Sequence, residues 1–393
     1  MSGIYIHIPF CKQACHYCDF HFSTTLKKKG KLVDALCKEL VLRKDEPIGE
    51  VQTIYFGGGT PSLLSSEELE KLFKTIYSNY TISEAPEITL EANPDDLSTE
   101  ALAKGDLSVK SMKEVGINRL SIGIQSFFEE DLKLLNRVHS VDEAFECVEM
   151  AKEHFDNISI DLIYGIPGLS DVRWLENVHK AIAMDIPHIS CYALTVEPKT
   201  ALKAFIEKGI IPAVEDDVAQ NQHEILLRET EKAGYDNYEF SNFGKPGFYS
   251  QNNMGYWQGK TYLGIGPSAH SYDGDQRSWN IANNSKYIDE IEAGILPSEQ
   301  ERLSSKDKYN EYVMTRLRTQ WGISLDEVRD LFGKERHDYM LEQAQPHIDT
   351  GYLAIISSSD SAKKNSIEQL IVTKKGKFLS DGIASDLFLI EPA

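Results

Sequence analysis

Short runs of β-branched, aliphatic and aromatic residues recur through the first half of the chain. Between them lie segments in which apolar residues repeat at helical spacing, as Leu69, Leu72 and Ile76 do. This alternation is typical of strands joined by crossover helices. The strands are predicted at residues 5–8, 53–56, 87–91, 119–124, 159–163 and 188–193.

Several of these predicted strands are apolar on both faces, as expected for a parallel sheet that is covered on both sides. Six successive β/α units are two short of the complete eightfold barrel. We therefore expect an α/β fold in which residues 1–234 form a partial (β/α)6 barrel.

The pattern changes after the sixth predicted strand. Residues 235–302 are rich in Gly, Asn, Ser and aromatic residues, which predicts an irregular extension over the barrel mouth. Helical spacing then returns, Ser324 and Glu327 form the S-x-x-E pattern of a capping box, and two strand-like runs follow. Residues 303–393 are expected to form a small winged-helix-like α+β domain with a structural or lid role.

The charge balance narrows the possible partners. The 393-residue chain has 41 Lys and Arg residues against 61 Asp and Glu residues, a formal net charge of −20. Residues 305–393 have 12 Lys and Arg against 14 Asp and Glu, so the C-terminal domain lacks the basic surface that DNA binding requires. We expect no nucleic-acid partner. The short apolar runs and the absence of a signal-peptide pattern predict a cytoplasmic protein.

Three of the six cysteines, Cys11, Cys15 and Cys18, lie within eight residues, which favours a metal site over disulfides. Three thiolates on one loop can bind three irons of a four-iron cubane and leave the fourth iron open to another ligand. A structural zinc site with His16 or His21 as fourth ligand, or reduced thiols without a metal, are the alternatives. The remaining cysteines have apolar neighbours and are expected in the core: Cys37, Cys147 and Cys191.

Glycines and polar residues stand where the predicted strands end. The second strand runs into Gly58, Gly59 and Thr60, where the backbone can approach a ligand closely. Ligands of β/α barrels bind at this end of the strands. Polar residues on the next three strands can reach the same place: Glu91, Gln125 and Asp161. A simple glycine turn, satisfied buried polar groups and helix caps are the alternatives.

Together these motifs resemble the radical S-adenosylmethionine (SAM) superfamily. The matching segments are Tyr5-Ile-His-Ile-Pro-Phe, the Cys-x3-Cys-x2-Cys loop, the Gly-Gly-Gly-Thr-Pro strand end and Asp161-Leu-Ile-Tyr-Gly-Ile-Pro-Gly. More narrowly, the chain is similar to the group that contains oxygen-independent coproporphyrinogen III oxidase and a heme chaperone. The resemblance covers about residues 4–284 and extends more weakly to the C-terminus.

The resemblance implies a [4Fe-4S] cluster on Cys11, Cys15 and Cys18, with SAM chelating the free iron. In such proteins one electron, supplied by a low-potential donor, cleaves SAM to methionine and a 5′-deoxyadenosyl radical in a dry pocket. Arg137, which would otherwise be read as a surface salt-bridge partner, joins the implied SAM contacts. Those contacts are Tyr5 near the cluster, Gly58, Gly59 and Thr60 at the methionine, Glu91 at the ribose, and Gln125, Arg137 and Asp161 at the remaining polar positions.

Two details indicate the branch of this group. The oxidase has a further cysteine two positions after the third ligand, whereas Phe20 stands there in this chain. Arg137-Val-His139 also resembles the chaperone branch. The leading hypothesis is therefore a protein that binds heme and passes it to an acceptor, such as a respiratory protein, while peripheral to the membrane. Radical decarboxylation of coproporphyrinogen III is the alternative, and a structural zinc protein is the third.

The residues expected to bind heme depart from the chaperone pattern. Its His-Asn-x-x-Tyr-Trp motif is associated with heme, but Asn252 occupies the histidine position here. Tyr256 and Trp257 remain as stacking residues. His270, at the end of a Gly-rich run, is an alternative axial ligand; its other interpretation is a hydrogen-bonded histidine beneath a loop.

Overall fold

The structure is a computed structural model that describes residues 2–97, 107–360 and 365–390. The chain forms two compact units. Unit 1 comprises Met1–Asp236, Phe243–Asn252 and Lys260–Glu301, and unit 2 comprises Asn237–Asn242, Asn253–Gly259 and Arg302–Ala393. Across the described ranges, no helix is both long and apolar enough to cross a membrane.

A single large sheet organises unit 1, with its first six strands parallel and in chain order. All six predicted strands are present. The first six strands are β1 (Ser2–Ile8), β2 (Val51–Gly58), β3 (Ile82–Ala92), β4 (Arg119–Gln125), β5 (Ile158–Tyr164) and β6 (His188–Ala193). The later strands of this sheet are β7 (Asp236–Glu239), β8 (Asn242–Gly244), β9 (Thr261–Ile265), β10 (His270–Tyr272), β11 (Gln276–Asn280) and β12 (Ser298–Arg302).

The described helices connect these strands, and several begin at a side-chain cap. Ser65 accepts a hydrogen bond from the backbone N–H of Glu68 and so caps the helix Ser66–Asn79. Ser140 caps the helix Val141–Lys152 in the same way. The helices are α1 (Lys29–Leu42), α2 (Ser66–Asn79), α3 (Pro94–Leu97), α4 (Val109–Glu114), α5 (Glu129–Leu135), α6 (Val141–Lys152), α7 (Asp171–Ala183), α8 (Ala201–Glu207), α9 (Asp216–Lys232), α10 (Gln251–Trp257) and α11 (Asn284–Glu292).

The two faces of the six parallel strands carry different side chains. One face is aliphatic and fully buried, as at Ile4, Ile54 and Ile122. The other face is polar, because side chains alternate along a strand and the intervening positions include Tyr55 and Glu91. Tyr55 and Glu91 are half-buried, whereas Thr89 and Arg119 on the same face are buried. The barrel interior is therefore polar and only partly reached by solvent, unlike the packed aliphatic core of a complete eightfold barrel.

The segment predicted to be irregular contains several short strands. β9 pairs in parallel with β1, and β10 and β11 extend the sheet further. These strands have only three to five residues and mixed polar composition, so the hydrophobic pattern did not reveal them. Glu39 of α1 anchors the segment by accepting hydrogen bonds from the Gly266 N–H (2.8 Å) and from Asn280 Nδ2 (2.7 Å).

Unit 2 has the predicted winged-helix-like arrangement. A three-stranded sheet packs with helices around an apolar core that includes Val313, Met340 and Leu370. Its strand order is β13 (Ile323–Ser324), β15 (Asn365–Val372), β14 (Leu353–Asp360). The predicted capping box is only half formed: Ser324 accepts from the Glu327 N–H, but the Glu327 carboxylate accepts from Tyr312 Oη (2.6 Å) instead. The elements are α12 (Ser305–Leu317), β13 (Ile323–Ser324), α13 (Leu325–Phe332), α14 (Lys334–Asp349), β14 (Leu353–Asp360), β15 (Asn365–Val372) and α15 (Ser380–Asp386).

Candidate cofactor site

The cysteine loop follows β1 and is fixed to the end of α5. The His16 N–H donates to the Leu135 carbonyl (3.1 Å), and Asn136 Nδ2 donates to the Ala14 carbonyl (2.7 Å). Asn136 adopts a left-handed conformation with φ 60°, which asparagine tolerates. These bonds place the loop at the carboxyl end of the strands, where the sequence predicted the site.

Cys11, Cys15 and Cys18 are free and half-buried on this loop. Burial raises the pKa of both Cys11 and Cys18 to about 11, so without a metal these groups are thiols. Binding of a metal replaces the thiol protons. Arg137 contacts the same loop, with its Nη1 3.5 Å from Cys15 Sγ.

The side-chain geometry distinguishes two kinds of metal site. Within the described residues, no three His, Cys, Asp or Glu side chains converge as ligands of one metal ion. A cubane does not need such convergence, because each thiolate binds a separate iron. His16 Nδ1 is 2.8 Å from the Leu134 carbonyl and His21 Nε2 is 2.7 Å from Asn284 Oδ1. A metal-bound histidine normally makes such a bond with its second ring nitrogen, so these contacts are compatible with zinc. The three thiols on one loop match the three protein ligands of a cubane with one open iron.

The glycine strand end lies directly against the cysteine loop. A Cβ atom on Gly59 would be 2.6 Å from the Phe10 carbonyl oxygen, and one on Gly58, with φ 105°, would be 2.3 Å from His7 Nδ1. Only glycine fits these two positions. Thr60 is 3% exposed, and its side chain is hydrogen-bonded to Cys11. The sequence-predicted glycines and the first cysteine thus belong to one site.

Glu91 lies at the carboxyl end of β3 with both carboxylate oxygens engaged. Oε1 accepts from Tyr55 Oη (2.7 Å), and Oε2 accepts from the Gly58 N–H (3.1 Å). Burial raises the pKa of Glu91 to about 7, and the nearby charge of Asp161 adds to the rise. Asp161 accepts from Ser121 Oγ (3.3 Å), and burial raises its pKa to about 6. The barrel interior therefore holds two acidic side chains whose pKa values lie close to neutral pH.

Arg137 connects the cysteine loop with β4 and with Asn93, which follows β3. Its Nη2 donates to Asn93 Oδ1 (2.6 Å) and to the Gly123 carbonyl (2.7 Å), while Nε has no hydrogen-bond partner. Gln125 ends β4 with φ 71°, and a Cβ atom on Gly123 would lie 2.8 Å from Gln125 Nε2. The surface-salt-bridge interpretation of Arg137 is wrong, because these contacts hold it at the cluster loop.

Tyr5 lines the same interior from β1. Its Oη is 3.1 Å from His7 Nδ1, and its ring centroid is 6.0 Å from that of Tyr55. His7 Nε2 is 2.9 Å from the His21 carbonyl, which links β1 to the cysteine loop. Burial lowers the pKa of His7 to about 4, so the ring is neutral.

Sequence reasoning missed several residues of the site. Tyr55 and Asn93 hold Glu91 and Arg137 through the contacts above. Tyr17, inside the cysteine loop, has a pKa raised by burial. Period-two alternation along β2 was the available signal for Tyr55, since it places Tyr55 and Gly57 on one face. Asn93 follows β3 directly and carried no comparable pattern.

The heme candidates lie in different parts of the molecule. Trp257 belongs to unit 2, where the Arg318 guanidinium lies 5.2 Å from its ring centroid, and its Nε1 is buried without a hydrogen-bond partner. Tyr256 precedes it on α10. His270 belongs to unit 1 and stacks on Trp279 with 6.0 Å between ring centroids. Partial burial lowers the pKa of His270, which leaves its ring neutral.

Asn252, at the position of the chaperone histidine, begins the same helix but lies in unit 1. Its Oδ1 accepts from Thr53 Oγ1 (3.2 Å), and its N–H donates to Glu87 (3.1 Å). Thr53 lies near the amino end of β2 and pairs with Glu87 of β3, away from the carboxyl ends that carry the cysteine site. Asn252 and the cysteine loop are thus at opposite ends of the strands.

Comparison with known proteins agrees with this geometry. Residues 5–182 match the model of the radical SAM superfamily, and residues 303–359 match the HemN C-terminal domain. A protein named heme chaperone HemW from Bacillus subtilis is 34% identical, with 98% of each chain covered. The chain belongs to the HemW family of radical SAM proteins. A HemW from Mycobacterium tuberculosis H37Rv is 33% identical, covering 98% of this chain and 94% of that protein.

A solved structure supports the fold of this HemW family member. Coproporphyrinogen III oxidase (HemN) from Escherichia coli matches with a TM-score of 0.81 at 22% identity, covering 98% of this chain and 90% of that one. At this identity the match supports the fold alone. It confirms the predicted fold class, and the family models imply a [4Fe-4S] cluster and SAM for the radical SAM part.

Proposed function

We propose that the protein is a heme chaperone that carries a [4Fe-4S] cluster and SAM, binds heme and transfers it to an acceptor protein. The observation that carries this proposal is the similarity over 98% of the chain to proteins named heme chaperone HemW. Phe20 in place of the oxidase's fourth cysteine supports it further.

The cluster would be held by Cys11, Cys15 and Cys18. Their half-buried positions limit solvent access, and Arg137 offsets the negative charge that three thiolates bring. When bound, the cluster supplies one electron at a low potential. A low-potential electron donor is therefore a proposed partner.

SAM would lie between the cysteine loop and the polar interior. The Gly58 and Gly59 backbone provides close approach for the methionine part, Thr60 flanks it, and Tyr5 borders the cluster end. Glu91 would accept hydrogen bonds from ribose hydroxyls, with Tyr55 giving up or sharing the oxygen that it now contacts. Gln125, Arg137 and Asp161 complete the polar lining.

Heme would use Tyr256, Trp257 or His270. Asn252 has no imidazole, so the chaperone motif cannot supply its usual axial ligand here. His270 is exposed and neutral, so one ring nitrogen is able to bind iron. Delivery to a respiratory protein would bring the protein to the membrane surface only peripherally.

A second candidate function is oxygen-independent coproporphyrinogen III oxidation. The match of residues 303–359 to the HemN C-terminal domain favours it, as do the half-buried polar side chains of Tyr55 and Glu91 in the barrel interior. In that reaction the 5′-deoxyadenosyl radical would take one hydrogen atom from a propionate side chain, which would then lose CO₂ and give one electron to an acceptor to become a vinyl group.

One anaerobic experiment separates the candidates. Cluster-reconstituted protein is offered heme or coproporphyrinogen III in parallel, with SAM and a low-potential reductant. We expect stoichiometric heme binding and no decarboxylated product. Conversion of coproporphyrinogen III with release of 5′-deoxyadenosine would overturn the chaperone proposal.

Metal analysis of the same sample tests the third interpretation. We expect about four irons and four sulfides per chain, as in a cubane. About one zinc without sulfide would favour a structural zinc protein instead.

A further inference from the structure

The barrel interior holds a buried cation that the proposed SAM contacts do not include. Arg119 begins β4 and is 2% exposed. It pairs across the sheet with Thr89 of β3 and lies two residues before Ser121, so its side chain faces the interior. Arg119 Nε and Thr89 Oγ1 are both buried without a hydrogen-bond partner. The strand geometry thus places a buried guanidinium, whose Nε has no hydrogen-bond partner, below Glu91 and Asp161.

A buried charge is costly unless opposite charges compensate it. By strand register, Glu91 lies one interior layer and Asp161 two interior layers closer to the carboxyl ends of the strands than Arg119. Asp161 accepts from Ser121, and Glu91 accepts from Tyr55 and the Gly58 N–H. Arg119 therefore acts on the two carboxylates through space rather than as their hydrogen-bond donor.

Several groups favour the ionised carboxylates, and Arg119 differs in weight between the two. For Glu91, the hydrogen bonds from Tyr55 and the Gly58 N–H lower the pKa more than Arg119 does. Burial raises the pKa of Asp161, and Arg119 is the strongest of the groups that lower it again. Arg137 has a weaker effect there, and its guanidinium already contacts Cys15, Asn93 and Gly123. The titratable and polar groups around Asp161, Glu91 and Arg119 are Tyr17, Tyr55, the Gly58 N–H, Ser121, Arg137, His188, Ser190 and Cys191.

We propose that Arg119 is a positioning residue whose charge favours the ionised form of Asp161, and more weakly that of Glu91, and that it thereby sets the acidic limit of the pH range in which the site binds SAM. This inference rests on the proposed function, because it assigns SAM to the two carboxylates. Ionised carboxylates accept hydrogen bonds from the ribose and attract the positive sulfonium, whereas protonated ones do neither as well.

The test compares wild type with Arg119→Met and Arg119→Lys. The dissociation constant for SAM is measured by anaerobic calorimetry from pH 5.5 to 8.5 on cluster-reconstituted protein. Removing the charge should move the acidic midpoint of binding about one unit toward higher pH. The affinity ratio between wild type and Arg119→Met should be largest near pH 7 and shrink toward one at pH 8.5. Arg119→Lys should keep the wild-type midpoint.

A purely structural role gives a different result. If Arg119→Met binds SAM more weakly at every pH with an unchanged midpoint, the proposal is overturned. A midpoint moved equally by Arg119→Lys would overturn it as well, because lysine retains the charge. Cluster absorption in each variant reports whether the cysteine loop is intact.

A second measurement covers the case in which Arg119→Met fails to fold. Asp161→Asn removes the partner charge, so the double variant Arg119→Met/Asp161→Asn should recover soluble protein or raise the urea midpoint relative to Arg119→Met alone. Additive losses would overturn the coupling without any use of SAM. Wild-type protein that binds no SAM at any pH would instead refute the proposed function, so the two failures are distinguishable.

Discussion

The two units bury opposite kinds of side chain at their centres. Inside the barrel of unit 1 stand Glu91, Arg119 and Asp161, with several polar atoms left without partners. The core of unit 2 is built from apolar side chains such as Val313 and Leu370, both inaccessible to solvent. Unit 1 also buries aliphatic side chains, on the outer face of its parallel strands. The two units therefore differ in the side chains at the centre of each, not in having an apolar core.

This contrast separates a binding region from a supporting one. Desolvated charges cost stability, whereas buried aliphatic groups provide it. A fold retains such an interior where ligands will use the charges, and the cysteine loop and glycine strand end lie at the same end of the barrel. In the described part of unit 2, Glu239 is also buried, but it is not a member of the apolar core cluster. We therefore expect changes in unit 1's interior to affect binding and changes in unit 2's core to affect stability.

The largest expected effect follows from removing a cluster ligand. Cys15→Ala should abolish the broad absorption near ~400 nm of the reconstituted protein, because two thiolates do not retain a cubane. Cys37→Ala, a buried cysteine on α1, is the matched control and should keep the absorption. A spectrum unchanged in Cys15→Ala would contradict the ligand assignment.

Next in size is a cavity in the core of unit 2. Leu370→Ala removes a fully buried side chain between β13 and β14 and should lower the free energy of unfolding by about 2–5 kcal/mol. Urea denaturation measures the loss, and calorimetry should find an unchanged dissociation constant for SAM. A variant that is stable but binds SAM poorly would break the division between the units.

A smaller effect is expected from the ribose position. Glu91→Gln removes a charged acceptor and should weaken SAM binding by roughly tenfold, about 1.4 kcal/mol, while leaving the cluster absorption intact. Glu87→Gln changes the same residue type on the same strand, where Glu87 binds the N–H groups of Gln251 and Asn252. Equal losses in both variants would show that Glu91 has no special role.

The smallest effect is a pH dependence of binding. Burial raises the pKa of Glu91 to about 7 and that of Asp161 to about 6, so both are ionised above those values. SAM affinity should be constant above about pH 8 and fall severalfold as the pH drops from 7 to 6.

The free energy of unfolding should not decrease over the same pH range. A carboxyl group with a raised pKa binds protons more readily in the folded than in the unfolded state, so these two groups stabilise the fold as the pH falls. A urea midpoint that drops together with SAM affinity would mean that partial unfolding, not protonation of the site, causes the loss.

Much of the architecture was readable from local pattern. Alternating apolar runs and helical spacing predicted all six parallel strands, and the cysteine and glycine motifs predicted the family. Strands β9–β11 were not predicted, because segments of three to five residues with mixed polarity show no distinct hydrophobic period. Glu327 fitted a capping pattern, but its carboxylate instead accepts a hydrogen bond from Tyr312, fifteen residues away.

The sequence by itself determined which chemistry the protein can hold, because thiol spacing, glycine runs and carboxylates at strand ends are local properties. Only the tertiary structure decided which of these residues meet. Arg137 reaches Cys15 across 122 residues, Tyr55 reaches Glu91 across 36, and Asn252 lies away from the cysteine loop. The physical reason is that strand pairing and alternation choose the neighbours of each side chain, and no local pattern records the charges those neighbours bring.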